Sequence, residues 1–342
     1  MKKTINKIIS ILLAVSILAA SVIALSSCSN NDKLNRMVVG KVGEYDVYYE
    51  ELRWLTMQYK DLLASSYGKD IWDKKDTAEK YRKELEDAVY ASIISNYAIL
   101  TLCDDEILKL QGEKLIDING SEVQDIVEQY INETIEEMGS RAAYNISLKE
   151  NYLTDSLYRF INGVDVCESI LFNYYCSLGI IDDSDQAAIE YIYEYFIRTV
   201  HVYIQNDSND SIEENRKLAE AIRVKMVNGE DVNDLISKYS EDRYMASKDG
   251  YYFTHGTYSD KYEEASFALD VNEISEVVET YSGFYIIQRL ELDGAYIGVH
   301  FESDLKDQYL LAVFDNEINA CKETLVFTPN EFGSSLDLVN MK

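Results

Sequence analysis

The sequence predicts an α+β protein in which a compact β-α-α-β-α-β-β module is inserted into a mainly helical domain. Only 15 glycines and one proline occur in 342 residues, which favours long helices over a β-rich fold. Apolar residues recur at helical spacing before about residue 197 and again from about Leu305. Between these helical regions, short alternating or apolar runs typical of strands flank three helical stretches.

The N-terminus predicts an exported, lipid-anchored protein. Lys2, Lys3 and Lys7 precede an uncharged apolar run that ends in Leu25-Ser-Ser-Cys28, the pattern of a secretory signal. An uncleaved transmembrane helix is the alternative, because the run is almost long enough to span a bilayer. The final four residues resemble a bacterial lipobox, which implies that residues 1–27 are removed and that Cys28 is lipidated. Residues 28–36 would then form a polar tether at the extracytoplasmic face of the cell membrane.

Charge and cysteine usage exclude several function classes. Removal of the three leader lysines leaves 61 acidic and 29 basic residues, a net charge of −32, which argues against nucleic acid as a partner. The other cysteines are widely spaced, with no CxxC pair and no nearby histidine, so we predict no metal site and no cofactor; they are Cys103, Cys167, Cys176 and Cys321. The sequence leaves open whether two of them form a disulfide.

Residues 37–196 are predicted to form the first part of the helical domain. The run from Met37 to Val47 indicates a strand, a turn and a second strand that leads into a helix. Apolar stripes and end signals then predict a series of helices, with a capping box at Ser121; their apolar positions are Leu52–Leu63, Leu85–Leu100, Leu153–Ile161, Ile170–Leu178 and Ala188–Tyr195. This region offers no catalytic constellation.

Residues 197–293 are predicted to form the inserted module. Its first strand alternates, with Val200 and Val202 on one face and His201 on the other. The remaining elements are two helices ended and opened by Gly229 and Asp231, an aromatic strand, a third helix and two closing strands; they lie near Leu218–Met226, Val232–Ile236, Tyr251–Phe253, Ser259–Leu269, Ile274–Thr280 and Phe284–Leu290. Residues 294–342 are predicted to complete the helical domain, although the tail beyond Pro329 is weakly patterned.

The module resembles the parvulin family of peptidyl-prolyl isomerases in the order of its elements and in its motifs. The matching segments are Val200–Val202, Gly229–Asp231, Lys238–Asp242, Phe253–Tyr258, Tyr262–Leu269, Glu273–Ser275 and Thr280–Ile287. Together with the lipobox and the helical flanks, they make the chain similar to the PrsA-like foldase lipoproteins and SurA-type chaperones of bacterial envelopes.

The resemblance implies a set of site residues. His201 matches one of two active-site histidines, Asp242 the central acidic or thiol position, and Thr280 and Ser282 the supporting hydroxyl positions. Tyr285 stands where the family has its second histidine. The proline pocket would be formed by Phe253, Tyr258 and Tyr262, where the family usually has Met and Phe at the last two positions.

A second departure concerns a turn of the family. Its Gly-Gly-Asp-Leu-Gly turn is replaced by the run from Ser247 to Tyr251, which puts Gly250 at the usual leucine position of the pocket.

Three hypotheses follow. The first is a membrane-anchored foldase that shelters unfolded, exported polypeptides and isomerises their X-Pro bonds. The second is a chaperone whose parvulin fold binds peptide without catalysis, which the exchange of the second histidine for Tyr285 favours. The third is a solute-binding lipoprotein, against which the lack of a repeating βα pattern argues. Clients and oligomeric state are not predicted.

Overall fold

The structure is a computed structural model that describes residues 30–73, 77–104, 116–206, 212–245, 249–280 and 282–342. These residues form two compact units. The first contains the described residues within Met1–Lys60, Asp76–Ile180 and Glu317–Lys342, and the second those within Asp61–Lys75 and Ile181–Asn316. The chain therefore leaves the first unit and returns to it, as predicted for an inserted module. Cys28 lies outside the described residues.

The secondary-structure elements alternate between the two units along the chain. Those before the module are α1 (Asn30–Asn35), β1 (Val38–Val42), β2 (Tyr45–Tyr48), α2 (Tyr49–Tyr67), α3 (Ala78–Cys103), α4 (Ser121–Glu137), α5 (Arg141–Glu150), α6 (Asp155–Ser177) and α7 (Asp185–Tyr195). The remaining elements are β3 (Ile197–Gln205), α8 (Ile212–Val227), α9 (Val232–Tyr239), β4 (Tyr251–Phe253), α10 (Asp260–Phe267), β5 (Val278–Glu279), β6 (Gly283–Leu290), α11 (Gly294–His300), a π-helical turn (Phe301–Leu305), α12 (Lys306–Thr324), β7 (Phe327–Pro329) and α13 (Glu331–Ser334).

The core of the first unit is helical. In α3 the predicted apolar stripe is buried, with Leu85, Val89 and Ile93 fully enclosed. This helix packs against α6, and α6 packs against α4. The predicted capping box at Ser121 is wrong, because Gly120 is the N-cap and Ser121 is already helical. The apolar positions from Leu157 to Tyr175 belong to the single helix α6 rather than to two helices.

A small sheet joins the two ends of the first unit, in the strand order β2-β1-β7. Strand β7 pairs antiparallel with β1, with Val42 opposite Phe327. The weak pattern of the chain beyond Leu305 did not indicate this strand. Its three residues gain their stability from pairing with β1 and from the packing of Phe327, whose ring lies 4.8 Å from that of Tyr90. The four cysteines in the described part of the chain are free thiols.

The second unit is built on an antiparallel sheet with the strand order β4-β3-β6-β5. The order β-α-α-β-α-β-β is confirmed between Ile197 and Leu290. One face of the sheet, which includes Val200, Val202 and Ile286, packs against α8 and α9. The opposite face carries a second apolar cluster with α10, formed by Ile197, Phe253, Tyr262, Leu269 and Ile287. His201 lies on this second face because strand residues alternate.

Helices outside residues 197–293 share a core with the module. Tyr252 of β4 belongs to an apolar cluster with Ile192 of α7 and Ile297 of α11. Its ring is stacked on that of Tyr296, with centroids 4.2 Å apart and planes 4° apart. Residues on both sides of the predicted module boundaries therefore fold with it as one compact unit.

Some predicted core positions of the second unit face solvent. Leu218 of α8 is 40% exposed, and the buried stripe of that helix runs through Ala219, Ile222 and Met226 instead. Tyr195 of α7 is also exposed. The strand predicted for Ile274–Thr280 is reduced to β5 and an isolated bridge between Ile274 and Gln288.

No helix in the described part of the chain combines the length and the apolar character needed to cross a membrane.

Candidate functional site

The predicted site histidine lies at the centre of the sheet face that carries α10. His201 is in the middle of β3, opposite Ile287 of β6, and only 4% of its side chain is exposed. Both ring nitrogens have partners: Nε2 lies 3.1 Å from Oδ2 of Asp242 and Nδ1 lies 2.9 Å from the hydroxyl of Tyr262. The imidazole is thus fixed at both ends.

Asp242 is positioned by the loop that follows α9. This loop is tied to β3 by two hydrogen bonds, from Glu241 N to the carbonyl of Tyr203 (2.8 Å) and from Tyr203 N to Ser240 Oγ (3.1 Å). Tyr244 N donates to Oδ1 of Asp242 (2.9 Å). Anchored in this way, the carboxylate is held opposite His201.

The environment of Asp242 favours the charged carboxylate. Its Oδ2 accepts a hydrogen bond from Tyr251 (2.9 Å) in addition to that from His201. The bond from His201 is the main cause that lowers the pKa of Asp242 to about 2, and the bonds from Tyr244 and Tyr251 add to it against the opposing effect of burial. Asp242 is therefore ionised at neutral pH.

A chain of hydroxyl groups completes the polar centre. The hydroxyl of Tyr262 lies 2.9 Å from both His201 Nδ1 and Thr199 Oγ1. An ionised Asp242 can only accept, so in the neutral imidazole Nε2 carries the proton and Nδ1 accepts from Tyr262. Tyr262 then accepts from Thr199. Burial raises the pKa of Tyr262 well above its ordinary value, so this phenol stays protonated.

Tyr285 supplies a ring rather than a polar partner to His201. It lies opposite Tyr203 in the sheet register and stacks on that ring at 4.5 Å. Its ring is edge-on to His201, with centroids 5.1 Å apart and planes 87° apart. Its hydroxyl points to Ser282 Oγ at 3.5 Å, and burial raises its pKa to about 12. The hydroxyl that bonds His201 is that of Tyr262, at a position where the family usually has Phe.

Thr280 and Ser282 form the turn between β5 and β6. Thr280 Oγ1 accepts from Ser282 N and Gly283 N (3.2 Å each) and lies 3.0 Å from Ser282 Oγ. Tyr203 donates to the carbonyl of Ser282 (2.6 Å). Thr280 is buried, so it holds the turn, whereas Ser282 reaches the groove beside Tyr285.

These residues surround an open groove of about 800 Å³. Its lining is dominated by tyrosines and consists of His201, Tyr203, Glu241, Asp242, Arg243, Tyr244, Tyr251, Tyr258, Ser259, Tyr262, Ser282 and Tyr285. Tyr258 and Tyr262 were predicted to line it. Phe253 was predicted to contact substrate, but it is fully buried and lies beneath the groove, with its ring edge-on to Tyr258 at 4.8 Å.

Tyr251 is a site residue that the sequence analysis missed. Besides its bond to Asp242, its ring stacks on His201 at 5.6 Å. Gly250 has φ +70°, and a Cβ there would lie 2.4 Å from the carbonyl oxygen of Thr199. This close approach requires glycine before Tyr251. The alternation of β4 was the available signal, because Tyr251 lies on the same strand face as Phe253.

Tyr258 is held in place by a buried carboxylate. Glu263 of α10 is 7% exposed and accepts hydrogen bonds from Gly256 N (2.9 Å) and Tyr258 N (2.7 Å). The ring of Tyr258 lies 5.2 Å from that of Tyr262. Both aromatic walls of this side of the groove therefore depend on α10.

Comparisons with known proteins agree with this reading of the site. Residues 192–292 match the PPIC-type PPIase domain family. Foldase protein PrsA of Caldanaerobacter subterraneus is 25% identical over 272 residues, 78% of this chain and 78% of that protein. Foldase protein PrsA of Bacillus subtilis is 31% identical over 107 residues, 30% of this chain and 34% of that protein. The crystal structure of PrsA from Bacillus subtilis is 20% identical, covers 84% of this chain and 93% of that chain, and has a TM-score of 0.27.

Proposed function

We propose that this protein, which carries a parvulin-type peptidyl-prolyl isomerase domain within a PrsA-like foldase, binds X-Pro segments of unfolded polypeptides and speeds their cis/trans interconversion. The observation that carries the proposal is the tyrosine-lined groove closed at its base by the His201–Asp242 pair. His201, Asp242, Tyr285, Thr280 and Ser282 would form the catalytic centre. Tyr258 and Tyr262 would contact the proline ring, with Phe253 supporting them from below.

The groove has the properties that prolyl isomerisation requires. The barrier of roughly 20 kcal/mol arises from amide resonance, so no bond to the protein has to form. The twisted amide has lost that resonance and is less dipolar than either planar form. A proline held against aromatic faces and away from water is therefore destabilised less in its twisted form than in its planar forms. Each 1.4 kcal/mol of this difference gives about a tenfold faster rate.

The polar centre would act on the amide nitrogen and carbonyl. The twisted nitrogen is pyramidal and its lone pair accepts a hydrogen bond. Ser282 and Tyr285 present hydroxyl groups to the groove from one side. His201 and Asp242 are fixed by Tyr262 and Tyr251, so they would keep a constant geometry during the rotation.

A second candidate function is peptide binding without catalysis. It is favoured by the ring of Tyr285, which stands at the position of the second histidine and is edge-on to His201. In this case the groove would hold proline-containing segments while the helical domain shelters the rest of the client.

We further propose that the protein acts outside the cytoplasm. The support is the leader and the Leu25-Ser-Ser-Cys28 run, from which removal of residues 1–27 and lipidation of Cys28 would follow. The two acyl chains of a diacylated cysteine are what stable anchoring needs. Exported polypeptides emerging at the membrane would be the clients.

The test is an NMR exchange measurement of cis/trans interconversion in short X-Pro peptides with the purified full-length protein. The full chain is needed because Tyr252 packs against helices outside residues 197–293. We expect acceleration above the spontaneous rate, and a loss of at least tenfold in His201→Ala and Asp242→Ala. Peptide binding without acceleration would support the second candidate. Acceleration that survives both substitutions would refute the assigned centre.

A further inference from the structure

The groove combines neutral aromatic walls with fixed negative charge. The walls are phenols that remain protonated at neutral pH, because burial raises the pKa of Tyr251, Tyr258 and Tyr285. The charge of Asp242 contributes to the rise at all three phenols. Its field therefore reaches the rings on different sides of the groove.

Further carboxylates lie around the same space. Glu241 lines the groove, and its Oε2 accepts a hydrogen bond from Gln205 N at 2.6 Å, which fixes the carboxylate there. The charges of Asp304 and Glu263 add to the rise in the pKa of Tyr258. Among the described residues that line the groove, Arg243 bears the only permanent positive charge, and it is exposed. Carboxylates thus outnumber permanent cations.

From this arrangement we infer that the groove selects X-Pro segments in which the residue before proline is lysine or arginine. The inference rests on the proposed function and names its preferred substrate. A cationic side chain gains from the carboxylates and from the negative faces of tyrosine rings. The rings on the open side offer such faces, since Tyr258 is 37% and Tyr244 89% exposed. An acidic side chain would meet Asp242 and Glu241 at short range.

The test compares three peptides that differ only in the residue before proline: Ala-Lys-Pro-Phe, Ala-Gln-Pro-Phe and Ala-Glu-Pro-Phe. Their affinities for the full-length protein are measured by titration calorimetry in about 20 mM and about 500 mM salt. We expect the lysine peptide to bind about 5- to 30-fold more tightly than the glutamate peptide at low salt, with glutamine between them. High salt should reduce the ratio because it screens the exposed charges.

Two charge-neutralising variants locate the effect. Glu241→Gln keeps an oxygen to accept from Gln205 N and removes the charge, so the lysine-to-glutamate ratio should fall at least threefold. Glu230→Gln is the matched control. Glu230 is 53% exposed, pairs with Lys225 at 3.3 Å and is not part of the groove lining. The same change in net charge should leave the ratio unaltered.

The outcomes separate the inference from the proposed function. Equal affinity for the three peptides, or tighter binding of the glutamate peptide through Arg243, overturns the inference and leaves X-Pro binding intact. An equal fall of the ratio in both variants also overturns it, because the preference would then reflect net charge alone. If none of the peptides binds, the proposed function itself is wrong.

Discussion

Removal of the Tyr262 hydroxyl is the most direct test of the polar centre. In Tyr262→Phe the ring remains, but the bonds of 2.9 Å to His201 Nδ1 and Thr199 Oγ1 are lost. Thr199 is fully buried and His201 is 4% exposed, so water cannot readily replace the lost partner. A buried polar group without a partner costs about 1–3 kcal/mol. We therefore expect a loss of about 2–4 kcal/mol in the free energy of unfolding of the second unit.

This loss should be visible in the melting temperature and in hydrogen exchange. For a unit of this size it corresponds to a decrease in Tm on the order of 5–15 °C. Amide exchange of β3 peptides should accelerate, which assigns the loss to the second unit even if the first unit melts separately. Tyr258→Phe is the matched control: its hydroxyl makes no recorded hydrogen bond with the described residues, so we expect a change within about 0.5 kcal/mol.

Isomerase measurements on the same variants test the functional part of the reasoning. We expect Tyr262→Phe to lower the rate of X-Pro exchange, because His201 loses the partner that fixes its orientation. Tyr285→His should restore a polar partner near His201 only in the double variant with Tyr262→Phe, where Nδ1 is free to accept. A Tyr262→Phe protein as stable and as active as the wild type would refute the hydroxyl chain as an organising feature.

Three further predictions concern pH and backbone geometry. Glu51 is 2% exposed and burial raises its pKa from 4.5 to about 7, so the stability present below pH 4.5 is lost as pH rises towards 7; the difference in unfolding free energy between wild type and Glu51→Gln should change by about 3 kcal/mol across this range in urea titrations. Asp242 has its pKa lowered from 3.8 to about 2, so its contribution is present above pH 4 and disappears between about pH 4 and 2; the advantage of wild type over Asp242→Asn should vanish in that window. Gly250→Ala would bring a Cβ to 2.4 Å from the carbonyl of Thr199 at φ +70°, and should destabilise the protein by at least about 1–2 kcal/mol, detectable as a lower Tm, and displace Tyr251.

Local patterns in the sequence predicted the elements whose signals are strong. The stripe of α3, the N-cap Asp231 of α9 and the alternation of β3 are each decided by neighbouring residues. Elements stabilised by distant parts of the chain were missed. Strand β7 has only three residues and exists because β1 offers a pairing edge, and α11 is anchored by its contact with Tyr252.

The same distinction applies to the candidate site. The side of the sheet on which His201 and Tyr285 lie follows from strand alternation, and the structure brings these residues within 5.1 Å. The partners of the imidazole could not be predicted in this way. Tyr262 is on a helix 61 residues further along the chain, and whether its hydroxyl or that of Tyr285 reaches Nδ1 depends on how α10 packs on the sheet.

The exchange of residues at the site changes which element controls the histidine. With a histidine at position 285, the second polar residue would come from β6, a central strand of the sheet. Here the bond to Nδ1 comes from Tyr262 of α10, and Glu263 of the same helix holds the turn that carries Tyr258. One helix therefore supports both the wall that would contact proline and the group that orients His201. A client that displaces Tyr258 would act on α10, and through Tyr262 on the His201–Asp242 pair, so proline binding and the geometry of the polar centre are coupled by a single short helix.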